Sequence, residues 1–300
     1  EIHFGSGTFN DLPELLQGYG RNLLLVTGSR SLQQTPRWSR LLTTLEQAGL
    51  AWQQVTVDGE PSPELVDDAV LAHRDAAVDV VVGIGGGSVL DAAKAIAGLL
   101  RSGNSVLDHL EGVGRGLPYS GPAVPFVAVP TTAGTGSEAT KNSVLSRRGP
   151  AGFKKSFRDK RLMAEVAIVD PDLLATCPKD LIASNGMDAL TQLLESYVSL
   201  RASPFTDALA SSGMQAFREG FWHAWNEEDP LAQQGFERLA YASLCSGITL
   251  AQCGLGSVHG LASPLGAFFP IPHGVVCGTL VAAATRLNIR ALRERAPDGT

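Results

Sequence analysis

The sequence predicts two parts, an α/β domain built on a parallel sheet and then an all-helical domain. Between residues 22 and 169, short runs rich in Val, Leu and Ile alternate with amphipathic helical segments, which is typical of strand-helix-strand units. From residue 178 onward the pattern is helical, without a convincing strand. Prolines interrupt the pattern between residues 170 and 178, so we expect an α/β domain over residues 1–177 and a helical domain over residues 178–300.

The individual elements follow from the same patterns in chain order. Strands are expected at residues 22–27, 51–57, 79–84, 125–129 and 166–169. In the first part, helices are expected at residues 35–48, 63–76 and 89–101. In the second part, helices are expected at residues 180–200, 204–221, 231–252 and 275–293.

Composition and net charge limit the classes of protein to which this chain can belong. The 300 residues are 44% hydrophobic and 18% charged, an ordinary globular mixture, and the net charge of −6 opposes non-specific attraction to nucleic acid or to an anionic membrane. The longest uninterrupted apolar runs fall short of the ~20 residues that span a bilayer. The four cysteines are scattered, without a Cys-x-x-Cys pair. We expect a cytoplasmic protein with no nucleic-acid or membrane partner, whose native start is missing because the chain begins without Met.

A glycine-rich turn joins the third expected strand to the helix that follows it. The turn consists of Gly85, Gly86, Gly87 and Ser88. Glycine lets backbone amides close on a phosphate, and the helix N-terminus adds partial positive charge, so the turn predicts a pyrophosphate site. A tight turn between a strand and a helix that binds no ligand would give the same pattern. An ordinary dinucleotide-binding fold carries its glycines after the first strand, so a simple Rossmann arrangement does not fit.

Two further groups of residues point to the same site. Asp91 and Lys94 lie on the first turns of the helix after the glycines, near a bound nucleotide, although surface charges would share this spacing. The expected strand at 125–129 runs into a loop that contains Thr131, Thr132 and Thr135. Hydroxyls at the carboxyl edge of an open α/β sheet stand where ligands bind. The two turns are therefore expected to form two edges of one crevice.

A second constellation has the chemistry of a metal site. Asp188 and Gln192 are four residues apart in a helical segment and share one face, and His259 and His273 follow later in the chain. Two imidazoles and a carboxylate can hold Fe(II) or Zn(II) with positions left open for a substrate oxygen. A pair of hydrogen-bonded histidines in a helical core is the alternative interpretation.

At these residues the sequence resembles the iron-containing (group III) alcohol dehydrogenase family. The motifs that carry the resemblance are, in chain order, Gly85-Gly86-Gly87-Ser88 with Asp91 and Lys94; residues 130–138; Asp170-Pro171; residues 186–190; His259-Gly260; and Pro272-His273-Gly274. The resemblance implies a dehydroquinate synthase-like architecture, with a nucleotide-binding α/β domain, a helical metal-binding domain and a catalytic cleft between them. It also implies a homodimer, with the segment 2–9 as a candidate for edge pairing between subunits, and about 80 further residues at the C-terminal end.

The resemblance also assigns roles to individual residues. The turn from Gly85 to Ser88 would hold the pyrophosphate, with Thr131, Thr132 and Thr135 beside the rest of the cofactor. Asn142 and Lys154 align with positions that reach the cofactor, and Lys155 competes with Lys154 because the intervening loop makes the alignment ambiguous. The metal ligands would be Asp188, Gln192, His259 and His273.

The sequence departs from the family pattern at two positions. Gln192 stands where the family has a histidine four residues after the aspartate. An amide oxygen is a weaker donor than an imidazole, so the metal affinity or the metal preference should change. Ser263 stands where the family often has a proton-relaying histidine, which leaves Ser263 as the residue at the catalytic relay position.

The end of the first expected strand bears on cofactor choice. Family members that prefer NAD tend to have an acidic residue at the position of Gly28, where it would bind the ribose 2′-hydroxyl. Here Gly28 is followed by Ser29, Arg30 and Ser31. Small hydroxyl and cationic side chains accommodate a 2′-phosphate that a carboxylate would repel. We expect NADP, with NAD as the alternative and Gly28 and Ser31 beside the cofactor.

The function implied by the resemblance is reversible hydride transfer between a nicotinamide and a small alcohol or aldehyde, with a metal polarising the oxygen. Three alternatives remain open at this point. A metal-independent reductase resembling maleylacetate reductase would explain Gln192. A sugar-phosphate cyclase resembling dehydroquinate synthase would share the architecture, and a non-catalytic nucleotide-binding relative would keep only the crevice.

Overall fold

A parallel sheet of six strands forms the centre of the first half of the chain. The fold is that of a computed structural model, which describes residues 1–29, 32–149, 152–226 and 228–295. The strands of this half are β1 (Ile2–Phe4), β2 (Asn22–Gly28), β3 (Ala51–Val57), β4 (Val80–Gly85), β5 (Phe126–Pro130), β6 (Asn142–Arg147), β7 (Phe153–Arg158) and β8 (Val166–Val169). The sheet order is β1-β8-β5-β4-β2-β3, and every neighbouring pair is parallel. The predicted parallel-sheet α/β class is confirmed.

Helices cover the two faces of this sheet, so its central strands are buried on both sides. The helices are α1 (Leu12–Gln17), α2 (Pro36–Gln47), α3 (Pro63–His73) and α4 (Gly87–Leu99). Strand β4 is buried along its whole length, as expected of a Val-rich central strand. Two apolar clusters, one on each face, join the strands to the helices. The carboxyl ends of β2, β4 and β5 therefore meet at one edge, where the crevice was expected.

Five helices make up the second half. They are α5 (Lys179–Tyr197), α6 (Pro204–Trp225), α7 (Ala232–Cys253), α8 (Ser257–Phe268) and α9 (His273–Arg295). Local sequence explains the sharpest boundary: Ser203 and Thr206 form a capping box at the start of α6, with Pro204 at its first position. A third apolar cluster lies among α5, α6 and α7 and includes side chains of β8. No strand follows Val169 in the residues that the structure describes.

Several elements differ from the sequence prediction, among them helix α1, which was not predicted. Strands β6 and β7 form an antiparallel hairpin where a loop was expected, because the basic side chains there hid the alternation of buried and exposed positions. Helix α8 was not predicted, since Pro264 lies inside it. Strand β1 pairs with β8 of its own chain and forms one edge of the sheet, so the expected pairing of this segment between subunits stays a prediction.

The two halves touch through glycines. A Cβ on Gly134 would lie 2.6 Å from the Cβ of Asn185 in α5. Gly136 has a left-handed φ of +58°, and a Cβ on Gly247 of α7 would overlap the Gly136 carbonyl oxygen. Residues 131–136, which follow β5 and are called the threonine loop below, are therefore packed directly on the helices of the second half.

Helix α9 is long and apolar enough, by length and composition alone, to cross a membrane. Only 17% of its most apolar window is buried. Helices α7 and α8 would also qualify if taken together, but they are bent by 102° at their junction. A single helix of this kind is weak evidence for a membrane span, since core helices of soluble proteins pass the same test.

Candidate active site

The glycine turn leads from the end of β4 into α4. Gly86 is the residue before the helix, and the helix begins at Gly87. A Cβ on Gly86 would lie 3.2 Å from the side chain of Thr132, and one on Gly87 would lie 2.6 Å from that of Thr135. The threonine loop therefore lies against the glycine turn, as the crevice hypothesis requires, and the half-buried Ser88 and Thr131 stand at the same edge.

A buried lysine on α4 forms hydrogen bonds with the loop and the hairpin beside this crevice. Lys94 is fully buried, and its Nζ donates to Ser137 Oγ at 2.8 Å, to Thr140 Oγ1 at 2.9 Å and to the Asn142 carbonyl oxygen at 2.8 Å. Burial lowers the pKa of Lys94 to about 8, against the opposing charges of Asp91 and Glu138. Burial also raises the pKa of Glu138 to about 7.

Asp91 is occupied by the same network. Its Oδ1 accepts from Ser137 Oγ at 2.6 Å, and its Oδ2 accepts from the Val144 amide at 3.1 Å. Both oxygens thus bind the protein, so Asp91 holds the loop and the hairpin in place rather than offering a free carboxylate to a cofactor. The alternative interpretation, in which Asp91 and Lys94 are surface charges, does not hold for Lys94, because its side chain has no exposed surface.

The remaining cofactor candidates lie around the crevice. Gly28 ends β2, and a Cβ there would meet only Val89 Cγ2 at 3.8 Å. Lys154 Nζ pairs with Glu60 Oε1 at 2.8 Å. Burial lowers the pKa of His273, the charge of Lys154 lowers it further, and the charge of Glu60 acts in the opposite direction. Asn142 is half-buried at the start of β6. Arg30 and Ser31 lie outside the described residues.

Three predicted metal ligands converge between α5, α8 and α9. Asp188 Oδ1 lies 3.1 Å from His259 Nε2 and 3.7 Å from His273 Nε2. These atoms and the Sγ of Cys277 all lie within 4.8 Å of one another. Helix spacing explains part of this arrangement, since His273 and Cys277 are four residues apart on α9 and share a face. The cluster is largely buried, with Asp188 and Cys277 fully so.

Glu195 contacts His259 at the ring nitrogen opposite the one that faces Asp188. Its Oε2 lies 2.6 Å from His259 Nδ1, and its Oε1 accepts from the Val258 amide at 2.7 Å. Burial alone would lower the pKa of His259, but hydrogen bonds with Asp188, Cys277 and Glu195 outweigh it and raise that pKa to about 12. Burial alone would raise the pKa of Asp188, but the same imidazole holds it below its usual value.

Gln192 and Ser263 are placed on the neighbouring turns. Gln192 is buried, and its Oε1 accepts from Ser246 Oγ at 2.9 Å. Ser263 lies on α8 one turn after His259 and is half-buried. Gln192 is therefore one turn along α5 from Asp188 with its carbonyl oxygen already engaged by a protein donor.

Glu195 and Cys277 were missed by sequence reasoning. Glu195 follows Asp188 by seven residues and so lies on the same face of α5, a spacing that could have suggested it. Cys277 follows His273 by four residues, which is an equivalent signal. All four cysteines are free and buried.

The donor set fits a divalent metal. One carboxylate, two imidazoles and a thiol are the donor types that Zn(II) and Fe(II) accept in proteins. The imidazole of His259 donates its second nitrogen to a carboxylate, which is the usual arrangement behind a metal-binding histidine. His273 Nδ1 is buried without a hydrogen-bond partner among the described residues.

Comparison with known proteins identifies the family. The family model for iron-containing alcohol dehydrogenase matches residues 1–171, and that for the C-terminal part of the Fe-containing alcohol dehydrogenase family matches residues 182–298. Long-chain-alcohol dehydrogenase 1 of Geobacillus thermodenitrificans is 37% identical over 275 residues, or 91% of this chain and 68% of that protein. NADPH-dependent butanol dehydrogenase of Clostridium saccharobutylicum is 30% identical over 98% of this chain and 74% of that protein.

Solved structures agree with the sequence comparison. The iron-containing alcohol dehydrogenase of Thermotoga maritima superposes with a TM-score of 0.86 at 30% identity, over 99% of this chain and 79% of that one. The chain belongs to the iron-containing alcohol dehydrogenase family. It is an NAD(P)-linked oxidoreductase that acts on CH–OH groups, with a small alcohol or aldehyde as substrate, and the cyclase and metal-independent alternatives are not favoured.

Proposed function

We propose that this enzyme interconverts a small alcohol and its aldehyde with NADP(H), using Fe(II), or Zn(II) in its place, held by Asp188, His259 and His273. The observation that carries the proposal is the convergence of these three side chains in one buried cluster. The nucleotide crevice and the cluster share a boundary, because Gly134 of the threonine loop packs on α5 one turn before Asp188. Hydride donor and metal would thus be neighbours.

The metal supplies Lewis-acid polarisation of the substrate oxygen when it is bound. The chain's own residues orient the metal ligands and provide a route for the proton. Glu195 accepts the Nδ1 proton of His259 and so presents Nε2 to the cluster. Ser263 stands one turn from His259 and is proposed as the hydroxyl that passes a proton between the substrate oxygen and solvent. Gln192 remains a candidate ligand on sequence grounds.

The nucleotide is proposed to bind along the crevice. The pyrophosphate would face Gly85, Gly86, Gly87 and Ser88 at the N-terminus of α4. The hydroxyls of Thr131, Thr132 and Thr135 would line the opposite edge, with Asn142 and Lys154 toward the nicotinamide. Asp91 contributes by fixing Ser137 and β6. In this arrangement the half-buried Lys154 would reach the cofactor from its ion pair with Glu60, which balances its charge.

NADP is proposed over NAD because position 28 is glycine. A 2′-phosphate would meet no carboxylate there, and the similarity to an enzyme named NADPH-dependent supports the same choice. Asp58, which follows β3, accepts a hydrogen bond from Ser29 Oγ at 3.4 Å through its Oδ1. We assign Gly28 and Ser31 to the adenosine ribose side of the site.

Three further proposals concern the whole molecule. We propose a division into a nucleotide-binding domain over residues 1–177 and a metal-binding domain over residues 178–300, supported by the change from strands to helices after β8. A homodimer is proposed because β1 is an edge strand with an unpaired outer side among the described residues. A cytoplasmic location is proposed because the cysteines are free.

The test is oxidation of NADPH and NADH by a panel of short aldehydes under anaerobic conditions, followed by nicotinamide absorbance. Chelation should abolish turnover, and Fe(II) or Zn(II) should restore it. NADPH should give the higher kcat/KM. Turnover that ignores chelation would contradict the metal role, and a preference for NADH would contradict the cofactor assignment.

A further inference from the structure

We propose that the Cys277 thiolate is the fourth protein ligand of the metal, in place of Gln192. This inference rests on the metal-dependent function proposed above and adds a sulfur donor to it. The family pattern has an imidazole at position 192, where this chain has an amide. A loss of one strong donor leaves three, and the structure brings a different strong donor to the same cluster.

Close contact between α5 and α9 puts Cys277 there. A Cβ on Gly274 would overlap the Ser184 carbonyl oxygen, and one on Gly278 would lie 3.0 Å from Met187 Cβ. Glycine at these two positions, four apart on α9, lets the helix axes approach closely. Cys277 lies on the turn between them and points its sulfur at the cluster that contains Asp188.

The distances suit a four-coordinate site. Cys277 Sγ lies 3.7 Å from His259 Nε2 and 3.8 Å from His273 Nε2. The Asp188 Oδ1 to Nε2 distances are 3.1 Å and 3.7 Å. Bonds of ~2.3 Å to sulfur and ~2.0 Å to nitrogen or oxygen in a tetrahedron put sulfur about 3.5 Å from nitrogen, and oxygen about 3.3 Å from nitrogen. The four measured distances are close to this spacing, and the remaining pairs of donor atoms lie within 4.8 Å of one another.

The surroundings of Cys277 distinguish it from an ordinary core thiol. Cys277 is fully buried and belongs to a small apolar cluster between α8 and α9, but its sulfur also lies within 4.8 Å of two imidazole nitrogens and a carboxylate oxygen. Cys177 and Cys245 lie in the apolar cluster of the helical half and, among the described residues, belong to no group of metal-binding side chains. When the metal binds, the thiol proton leaves to solvent, a metal-sulfur bond forms and no group is oxidised or reduced.

Gln192 has another role in this arrangement. Its carbonyl oxygen, the only atom of an amide that binds metals well, lies 2.9 Å from Ser246 Oγ, whose single proton is shared with the Ser243 carbonyl oxygen at 2.7 Å. Ser246 belongs to α7, next to Gly247. Gln192 thus links α5 to α7, and the thiolate replaces the missing imidazole as a donor. A thiolate also favours Zn(II) among the divalent metals in a tetrahedral site.

The first experiment is X-ray absorption at the zinc edge of the wild-type chain loaded with one Zn(II), which requires no variant. The proposal expects one sulfur scatterer at ~2.3 Å beside nitrogen and oxygen at ~2.0 Å. A first shell of nitrogen and oxygen alone would overturn it.

The second experiment compares variants by the near-ultraviolet sulfur-to-cobalt charge-transfer band of the Co(II)-loaded protein. Wild type and Cys177→Ser, the control outside the cluster, should show the band, and Cys277→Ser should lack it. Cys277→Ser should also bind Zn(II) at least about 10-fold more weakly, since even indirect supports of a metal site are worth that much. A band that persists in Cys277→Ser, or a wild type that holds Co(II) without one, would overturn the proposal.

The two proposals fail differently. A chain that binds neither Zn(II) nor Co(II) would overturn the metal-dependent function together with this inference. A chain that binds one metal ion and needs it for turnover, but shows no sulfur, would overturn only the assignment of Cys277. Circular dichroism of each variant establishes that it is folded before metals are compared.

Discussion

Glu195 Oε2 lies 2.6 Å from His259 Nδ1, while Nε2 of the same ring lies 3.1 Å from Asp188 Oδ1. A carboxylate that accepts the Nδ1 proton fixes both the plane of the ring and the nitrogen that can bind a metal. Glu195 also accepts from the Val258 amide at the start of α8. One carboxylate of α5 therefore positions both the ligand and the helix that carries it.

Glu195→Gln should weaken metal binding without unfolding the protein. The amide keeps the shape of the side chain but removes its charge, and such supports of metal ligands are worth about 10- to 100-fold in affinity. The measurement is competition for Zn(II) with a chromophoric chelator. Glu219→Gln, on the surface of α6, is the control and should match wild type. Unchanged affinity in Glu195→Gln would show that His259 is oriented by its packing alone.

Asp188→Ala should abolish metal-dependent turnover. The carboxylate is at the centre of the cluster, within 3.7 Å of both imidazoles. Loss of a Lewis acid worth several kcal/mol corresponds to a decrease in kcat/KM of about 1,000-fold or more. Metal content by elemental analysis should fall in parallel. If Asp188→Ala retains both the metal and the rate, the cluster is not the catalytic centre.

Lys94→Met should change how stability depends on pH. Burial lowers the folded-state pKa of Lys94 to about 8 from its ordinary 10.5, so between these values the unfolded chain binds more protons than the folded one. Wild-type unfolding free energy should therefore rise with pH across this window, by at most about 1.4 kcal/mol per unit, relative to the variant. Urea unfolding at pH 7.5 to 10.5 measures the difference, and parallel curves would contradict it.

Lys94→Met should also be less stable at neutral pH. Removing the ammonium leaves Asp91 buried beside the hydroxyls that it and Lys94 now share, and breaking a buried pair costs about 3 kcal/mol. The KM for the nicotinamide cofactor should rise as well, because Ser137 and Thr140 lose their common donor. Lys160→Met, at an exposed position after β7, serves as the control.

Gly28→Asp should shift the cofactor preference toward NADH. The position has room for a side chain, with Val89 Cγ2 as the nearest atom at 3.8 Å. A carboxylate about 4 Å from a 2′-phosphate costs roughly 1 to 4 kcal/mol, so the NADPH to NADH ratio of kcat/KM should fall about 10-fold or more. Gly28→Asn supplies the same bulk without charge. Equal ratios in the two variants would mean that the ribose lies elsewhere.

Strong periodic segments were predictable from sequence, and short or interrupted ones were not. The five predicted strands agree with the structure to within one residue. Strands β2, β4, β5 and β8 are buried on both faces, which leaves continuous apolar runs, whereas β3 lies at the edge of the sheet and is mostly exposed. Strand β1 has only three residues and no pattern of its own. Helix α8 carries Pro264, which usually ends a helix, yet tertiary packing on α9 retains it.

The site was predictable only where the family motifs reach. Asp188, His259 and His273 came from the resemblance, and the structure groups them. The role of Lys94 could not be foreseen, because its three acceptors come from a loop and a hairpin more than 40 residues further along the chain. Cys277 likewise required knowledge of how closely α9 approaches α5.

The contact between Gly136 and Gly247 brings two backbones together without a side chain between them. A side chain at either glycine would meet backbone atoms of the other half at less than 3 Å, so something would have to shift. A substitution there would push the loop of residues 131–136 away from α7, and the boundary between the nucleotide crevice and the helical half would widen without any change in a residue that binds cofactor or metal.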